Sequence, residues 1–408
     1  MRRRTKFLKR TTSVLIDNWM YTLIIIALAA VSIGILFFQL STLLPGPNAA
    51  ELNNLNNISE GAINPIHALI QEPIFLPFTF GMYLLQLFSL DSIGWLRSIS
   101  VAFGLLSVLS VYYIISRWHT FRVSVLATLL YATSAGLLHV ARLGDEQSTY
   151  LLLPLVIAIG LYGKGQKAIA PKLIALALAA ILTLYLPGTI WIVLVLSALY
   201  YREIIASAKK IVLPIKSVAA AISAVFIGLL TFSFISNPDQ FLLWLGLPVE
   251  NLPTLAEFAI QLALVPVTLF AWGPTDPSMW VGTAGIIDFF VGVLFILGCY
   301  SYFYQRKLDR TKFLFVTILV LTVLAGLGGP VNAFTVVPFI YIVAATGLAL
   351  LLQQWFTVFP RNPFARSLAL IVIIAAISMS VFYNTHRYFV AWPRTPAVQI
   401  EFSTEQSE

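Results

Sequence analysis

Long apolar runs, separated by short polar or basic segments, fill almost the whole chain. The runs are apolar on every face and do not alternate between apolar and polar residues, which favours buried or membrane-spanning helices over half-exposed strands. At about 1.5 Å per residue, the longer runs reach across a hydrocarbon core of about 30 Å. A helix satisfies its own backbone N–H and C=O groups in lipid, and the runs are too long for barrel strands. The pattern therefore predicts an all-α polytopic membrane protein.

Eleven of these runs are predicted to span the membrane. They cover residues 20–42, 97–116, 123–140, 149–162, 172–186, 188–201, 217–236, 284–304, 312–328, 333–353 and 367–384. Two further stretches, 73–90 and 252–272, are interrupted by prolines and bordered by polar loops, so we expect helices that lie at the interface or re-enter it. The result is one transmembrane domain over residues 1–384, whose first outer loop at 43–96 carries interfacial helices, and a short outer tail at 385–408.

Composition and charge agree with this class. Hydrophobic residues make up 59% of the 408 positions and charged residues only 10%, which excludes a soluble domain of ordinary composition. With the N-terminus in the cytoplasm, the predicted spans place 21 of the 25 lysines and arginines in cytoplasmic loops, as the positive-inside rule requires. The net charge of +8 then reflects topology, and no nucleic-acid partner is expected. We predict a multi-pass protein of the plasma (inner) membrane with a cytoplasmic N-terminus and an outer C-terminus.

A short polar segment, His139–Gln147, separates two of the predicted spans. It contains Arg142 and the adjacent carboxylates Asp145 and Glu146. Neighbouring residues on a helix point about 100° apart, so we expect one carboxylate to face a site while the other caps the following helix. Four arginines depart from the orientation bias, and an anionic ligand at the outer face is one reason for their position. They are Arg97, Arg142, Arg387 and Arg394.

Several motifs in a fixed order carry a resemblance to a known family. They are the first-loop acidic motif Pro45–Asn54 with Glu51, the proline-bearing Gln71–Phe75, the run from Trp95 to Arg117, and Arg142–Glu146. This order resembles the GT-C superfamily of integral membrane glycosyltransferases, particularly protein O-mannosyltransferases and lipid A aminoarabinose transferases. The resemblance in motifs covers residues 20–165. The remainder of the chain resembles the family only in its predicted topology. Two positions differ, because Ala50 stands where the family usually has an Asp, and Glu72 where some members have a lysine.

The resemblance implies a GT-C-like bundle that moves a sugar from a polyprenyl-phosphate donor to a lipid, glycan or protein acceptor at the outer face. A general base must come within hydrogen-bond distance of the acceptor hydroxyl, and Glu51 is the candidate. Asp145 and Glu146 are expected to position the acceptor or to bind a divalent metal. The phosphate leaving group gains negative charge during the reaction, and an arginine guanidinium can bind it through paired hydrogen bonds. The candidates for binding the donor phosphate are Arg97, Arg142 and Arg387. We expect interfacial helices to line an apolar groove for the carrier's tail.

Other interpretations stay open at this stage. Glu51 could equally be an ordinary solvated carboxylate. Each arginine could equally extend its side chain to the membrane interface or pair with a loop carboxylate. A divalent metal is an open question, because His67 and His139 have no second ligand at metal-site spacing. A transporter or flippase for a lipid-linked or anionic solute is a rival function, although charged residues are nearly absent from mid-span positions. A non-catalytic subunit that binds lipid-linked sugar is a third, supported by Ala50.

Overall fold

The computed structural model describes residues 19–64, 67–68, 70, 73–165, 179, 183–202, 205, 213–279, 284–358 and 363–403, and these residues form helices and connecting turns without a strand. The α-helices are α1 (Trp19–Phe37), α2 (Ala49–Ser59), α3 (Leu76–Leu87), α4 (Ile93–Trp118), α5 (Phe121–Ala132), α6 (Ala135–Ala141), α7 (Leu153–Gly165), α8 (Thr189–Leu199), α9 (Leu213–Ser236), α10 (Pro238–Leu245), α11 (Leu255–Phe270), α12 (Phe289–Tyr304), α13 (Asp309–Gly326), α14 (Val337–Val358), α15 (Pro363–His386) and α16 (Pro396–Glu401). Two short 3₁₀-helices, Glu146–Leu152 and Ala333–Val336, precede α7 and α14.

Length and composition identify the helices that can cross a membrane. Among the described residues, four stretches qualify: Trp19–Phe37, Ile93–Trp118, Ala333–Val358 and Ser367–Arg394. The pair α5 and α6, bent by 57°, adds a fifth if it forms one broken span. Several shorter apolar helices accompany them, including α3, α8, α11 and α12. The all-α polytopic class is confirmed, whereas the number eleven stays a prediction.

Some of the predicted features lie largely or wholly outside the described residues. The predicted span 172–186 is described only at 179 and 183–186, and Gln71 and Glu72 are not described. The basic N-terminal segment before residue 19 also falls outside, together with the loop around Lys209 and Lys210. The orientation of the termini therefore stays a prediction.

Two glycines allow a close helix crossing in the described part of the bundle. At the α12–α14 crossing, a Cβ on Gly347 would lie 2.8 Å from the carbonyl carbon of Leu294, and Gly298 faces the backbone of Val343 in the same way. Small residues allow helix backbones to approach closely in membranes, where the hydrophobic effect does not drive helices together. The core of the bundle therefore depends on two positions without a side chain.

Adding one methyl group at this crossing is expected to destabilise the bundle. Gly347→Ala forces α12 and α14 apart, and overpacking of this kind costs about 1–3 kcal/mol. The matched control is Gly34→Ala on α1, where an added Cβ has no atom within 4 Å. We expect a lower midpoint of thermal unfolding in detergent for Gly347→Ala and little change for the control. Equal midpoints would contradict the close crossing.

The loop between α1 and α4 contains α2 and α3, and α3 lies within the proline-interrupted stretch 73–90. Asn48 and Glu51 cap α2 reciprocally, because the Asn48 side chain accepts from the Glu51 N–H and the Glu51 side chain accepts from the Asn48 N–H. Helix α3 begins after Phe75, a left-handed residue, with a proline in its first turn. Phe78 on α3 packs with Leu96 on α4 in a small apolar cluster. The loop is thus folded against the start of α4.

The chain after α15 differs from the short outer tail that the sequence predicts. A π-helical turn, Arg387–Ala391, follows α15 and leads through a short 3₁₀ turn into α16. Trp392 and Phe402 are completely buried, and the Trp392 indole N–H donates to the carbonyl of Pro277 at 3.0 Å. Large aromatic side chains bury much apolar area, and Trp392 and Phe402 hold this segment against the bundle where the sequence predicts a short tail.

Candidate functional site

A buried ion pair joins the loop between α1 and α4 to the start of α4. Glu51 in the first turn of α2 is 0% exposed, and Arg97 is 1% exposed. The Arg97 Nε donates to Glu51 Oε1 at 2.8 Å, and Nη2 donates to Oε2 at 2.8 Å. This paired geometry is the strongest that arginine and a carboxylate form. Arg97 also donates to the carbonyls of Leu40 at 3.0 Å and Gly46 at 3.2 Å. Its guanidinium is therefore occupied within the fold.

The polar segment between α6 and α7 completes the coordination of Glu51. The Gly144 N–H donates to Glu51 Oε1 at 2.7 Å, and the Asn48 N–H donates to Oε2 at 3.2 Å. A carboxylate offers about four lone-pair positions, and all four here face a donor. A Cβ on Gly144 would lie 2.6 Å from Leu96 Cγ, so only glycine fits this approach. Glu51, Arg97 and the segment containing Asp145 therefore come together, as the resemblance implies.

Asp145 and Glu146 take different positions beside this centre. The Asp145 carboxylate accepts the Gln147 N–H at 3.0 Å and caps the 3₁₀-helix Glu146–Leu152, which confirms that one of the two caps the following helix. Asp145 is half-buried, and Glu146 is exposed. Burial raises the pKa of Asp145, and the nearby carboxylates Glu51 and Asp276 act in the same direction. The Asp145 carboxyl therefore holds a proton at a higher pH than an ordinary aspartate.

Arg142 is a buried cation beside aromatic rings. It is 2% exposed, and its guanidinium carbon lies 5.1 Å from the Tyr388 ring centre and 4.7 Å from that of Phe389. Its Nη atoms donate to the carbonyls of Ile35 and Phe38. Among the described residues, its Nε has no hydrogen-bond partner and no carboxylate pairs with it. Arg142 therefore retains both its charge and one unused donor.

Arg387 lies in the π-helical turn behind α15 and contacts the loop before α12. Its Nη1 and Nη2 donate to the carbonyls of Gly285 at 3.0 Å and Ala284 at 2.8 Å. The next residue, Tyr388, meets His139 edge-on with ring centres 4.8 Å apart, and Trp392 meets the same ring at 4.6 Å. His139 is thus enclosed by aromatic rings. The sequence singled out both His139 and Arg387, but it did not indicate that the turn containing Arg387 packs against His139.

A cavity of about 390 Å³, lined by both apolar and polar side chains, opens next to Gln147, two residues from Asp145. Its polar lining consists of Gln147, Gln261, Thr268, Asp276 and Asn332. The Asn332 amide donates to Gln147 Oε1 at 2.7 Å, which ties the turn before α14 to the polar segment. No lysine or arginine of the described chain lines the cavity. The sequence interpretation gave no site role to Gln261, Asp276 and Asn332, because single polar residues far apart in the chain form no recognisable motif.

A second, apolar groove of about 550 Å³ lies between α7, α8 and α13. Leu153, Ile157, Leu196 and Phe313 line it. The sequence interpretation placed an apolar groove at the interfacial helices of the first loop, but α2 and α3 do not line this one. Helices with apolar residues on every face make such a groove wherever three of them diverge.

Metal-ligating side chains do not cluster in the described ranges. No group of three or more His, Cys, Asp or Glu residues there lies within reach of a common ion. The backbone N–H of His67 donates to the Asn64 side chain at 3.3 Å, and His139 is surrounded by rings. The use of a divalent metal stays an open prediction.

Comparisons with known proteins identify the fold. Neither a protein-family model nor a curated protein matches the sequence. Two solved structures of ArnT from Cupriavidus metallidurans, one in the apo state and one bound to undecaprenyl phosphate, each match with a TM-score of 0.53 and 14% identity over 92% of this chain and 76% of theirs. An oligosaccharyltransferase from Archaeoglobus fulgidus, tethered to an acceptor peptide, matches with a TM-score of 0.51 and 15% identity over 93% of this chain and 56% of its own. The resemblance noted in the sequence is confirmed at the level of structure: the chain has the fold of the GT-C integral membrane glycosyltransferases.

Proposed function

We propose that this protein is a membrane glycosyltransferase that transfers a sugar from a polyprenyl-phosphate donor to a lipid, glycan or protein acceptor at the outer face. The observation that carries the proposal is the buried Glu51–Arg97 pair, locked by Gly144 beside the half-buried Asp145, within a GT-C fold. The ArnT structure with undecaprenyl phosphate and the oligosaccharyltransferase with an acceptor peptide support the two substrate classes.

In this proposal Asp145, rather than Glu51, is the general base. All four lone-pair positions of Glu51 already face donors, so it has none left for an acceptor hydroxyl. Asp145 uses one oxygen as a cap, and its pKa is raised toward the range in which a base works well. Glu51 then acts as a positioning residue that holds the Gly144 backbone, and with it Asp145, in place.

Arg142 is the proposed partner of the donor phosphate. Arg97 is occupied by Glu51, and Arg387 donates to two carbonyls, whereas Arg142 keeps an unused Nε and has no carboxylate beside it in the described chain. A phosphate leaving group gains charge as the glycosidic bond breaks, and a pre-positioned cation stabilises that charge most in a site with little water. The half-buried Phe389 ring covers the guanidinium and would move aside for the phosphate.

The acceptor is proposed to enter the cavity next to Gln147. Its amides can donate to and accept from hydroxyl groups, and the Asp276 carboxylate can accept from them. The absence of a lining cation in the described residues disfavours an anion. A neutral or amine-bearing polyhydroxylated group fits this chemistry. The negative charges of Asp145 and Asp276 point to the same class.

Removing the charge of Arg142 is expected to slow transfer. Arg142→Gln should lower kcat by about 10²–10³-fold with a smaller effect on KM, because the interaction strengthens as the leaving group charges. Arg142→Lys should retain part of the rate. The control is Arg202→Gln, an exposed arginine at the end of α8. A change confined to KM would place Arg142 in substrate binding alone.

The proposed function is tested by reconstituting the purified protein in proteoliposomes with a polyprenyl-phosphate sugar. Mass spectrometry of added acceptors should show the mass of one sugar and the release of polyprenyl phosphate. Solute flux without covalent change would instead establish the transporter interpretation. Carrier binding without turnover, across a panel of donors, would make the chain a non-catalytic subunit, in line with Ala50 at the position of the family's usual aspartate.

A further inference from the structure

The apolar groove between α7, α8 and α13 has one polar end. Along most of its length it is lined by aliphatic and aromatic side chains, but Trp118, Tyr200, Asp309 and Arg310 lie at one end. Helix α4 relates this end to the Glu51 site, since Arg97 lies near its start and Trp118 is its last residue. At 1.5 Å per residue, the two lie about 30 Å apart. The polar end of the groove therefore lies at the opposite end of the bundle from Glu51.

Arg310 is held at this end with unused hydrogen-bonding capacity. Its Nη2 donates to Gln305 Oε1 at 2.6 Å, and its guanidinium carbon lies 5.8 Å from the Tyr302 ring centre. Its Nε is buried, and no partner for it exists among the described residues. A buried donor of a charged group is costly to leave unpaired. Arg310 is therefore placed to receive an acceptor from a molecule that enters the groove.

The surrounding charge selects an anion. The loop before α13 and the first turn of this helix carry Arg306, Lys307, Arg310 and Lys312 against the single carboxylate Asp309. Asp309 is exposed, and its carbonyl accepts from the Tyr200 hydroxyl at 3.4 Å, which closes α8 onto α13. The positive end of the α13 dipole adds to the attraction for a negative group. A ligand that suits both parts of the groove has an anionic head and an apolar chain.

We propose that the groove binds one anionic glycerophospholipid from the leaflet farther from Glu51, with its phosphate at Arg310 and an acyl chain between α7 and α8. A groove of 550 Å³ lies within the range of sites for small molecules. Basic pockets between transmembrane helices commonly bind such headgroups. The proposed donor lipid differs, because its phosphate would lie near Arg142 at the other end. This inference does not rest on the proposed function.

The test compares two lipids with identical acyl chains. Protein purified in mild detergent is given equimolar phosphatidylglycerol and phosphatidylcholine, and bound lipid is counted by native mass spectrometry. Wild type should retain phosphatidylglycerol in about fivefold excess, the contribution of about one basic residue at a lipid surface. Arg310→Gln should abolish that excess. Arg306→Gln is the matched control, because Arg306 is an exposed arginine of the same loop that does not line the groove. It contributes only to the general positive charge, so most of the excess should remain.

A second variant tests the chain-binding part. An added Cβ on Gly160, which lines the groove, has no atom within 4 Å, so Gly160→Phe fills the groove without displacing the backbone. It should reduce retention of both lipids. Gly228→Phe on α9, equally open and outside the groove, is its control.

Three results would overturn the proposal. The first is equal retention of the two lipids by wild type, and the second is an equal loss of preference in Arg306→Gln and Arg310→Gln, which would indicate diffuse surface charge. The third is polyprenyl phosphate displacing phosphatidylglycerol in wild type, with its own retention lost in Gly160→Phe. That outcome would assign the groove to the donor's tail.

Discussion

Asp145→Asn is expected to abolish sugar transfer and leave the fold intact. Loss of a general base lowers the rate by about 10²–10⁴-fold. The asparagine side chain caps a helix about as well as aspartate, so the hydrogen bond from the Gln147 N–H and the 3₁₀-helix after it are retained. We expect an unchanged midpoint of thermal unfolding in detergent, measured on the same preparation as the transfer rate in proteoliposomes.

The pH profile gives an independent reading of the same group. A base works only when deprotonated, so the rate falls as the pH drops through the pKa of Asp145. Because burial raises that pKa, the acid limb should lie above the value of about 3.9 that is usual for aspartate. Asp239→Asn, an exposed carboxylate in the first turn of α10, should leave the profile unchanged. Full activity of Asp145→Asn would remove this residue from the role of base.

Glu51→Gln is expected to reduce both stability and transfer. Removing one partner of a buried ion pair leaves an uncompensated charge on Arg97 and costs about 3–5 kcal/mol. The lost carboxylate also releases the Gly144 N–H and weakens the cap of α2. Thermal unfolding in detergent and the transfer rate should fall together.

The double variant Glu51→Gln with Arg97→Gln separates position from charge. Without the unpaired cation, part of the lost stability should return, and the coupling is measured by a double-mutant cycle. In the single variant, any residual activity should show an acid limb at lower pH, because the negative charge that raises the pKa of Asp145 is gone. An unchanged midpoint for Glu51→Gln would contradict the buried pair. Transfer restored in the double variant would exclude Glu51 as a base.

The class of the fold could be predicted from the sequence, whereas the pairing among the candidate site residues could not. Apolar runs and the order of motifs placed Glu51, Arg97 and Asp145 in one outer region. Arg97 was expected to bind phosphate, yet it pairs with Glu51, since that contact depends on how the first turn of α2 meets the start of α4. Helical periodicity indicates on which face of its own helix a residue lies. It does not indicate which other helix that face contacts.

Two other parts of the site left weaker traces in the sequence. Gln261 and Asn332 are neutral amides 71 positions apart, and no spacing rule connects them. The sequence predicts a short tail after Asn384, but Trp392 and Phe402 in this segment are completely buried. In both cases the position of the side chains is determined by tertiary packing, which the pattern of residues along the chain does not reveal.

The coordination of Glu51 also constrains the order in which the protein is assembled. Its ionic partner Arg97 follows 46 residues later in the chain, and its last donor, the Gly144 N–H, follows 93 residues later. Until these donors are available, we expect the Glu51 side chain to stay hydrated, because moving a charged group out of water without a partner costs free energy. Because Gly144 follows α4, α5 and α6 in the chain, the full coordination of Glu51 requires that these three helices are already in place.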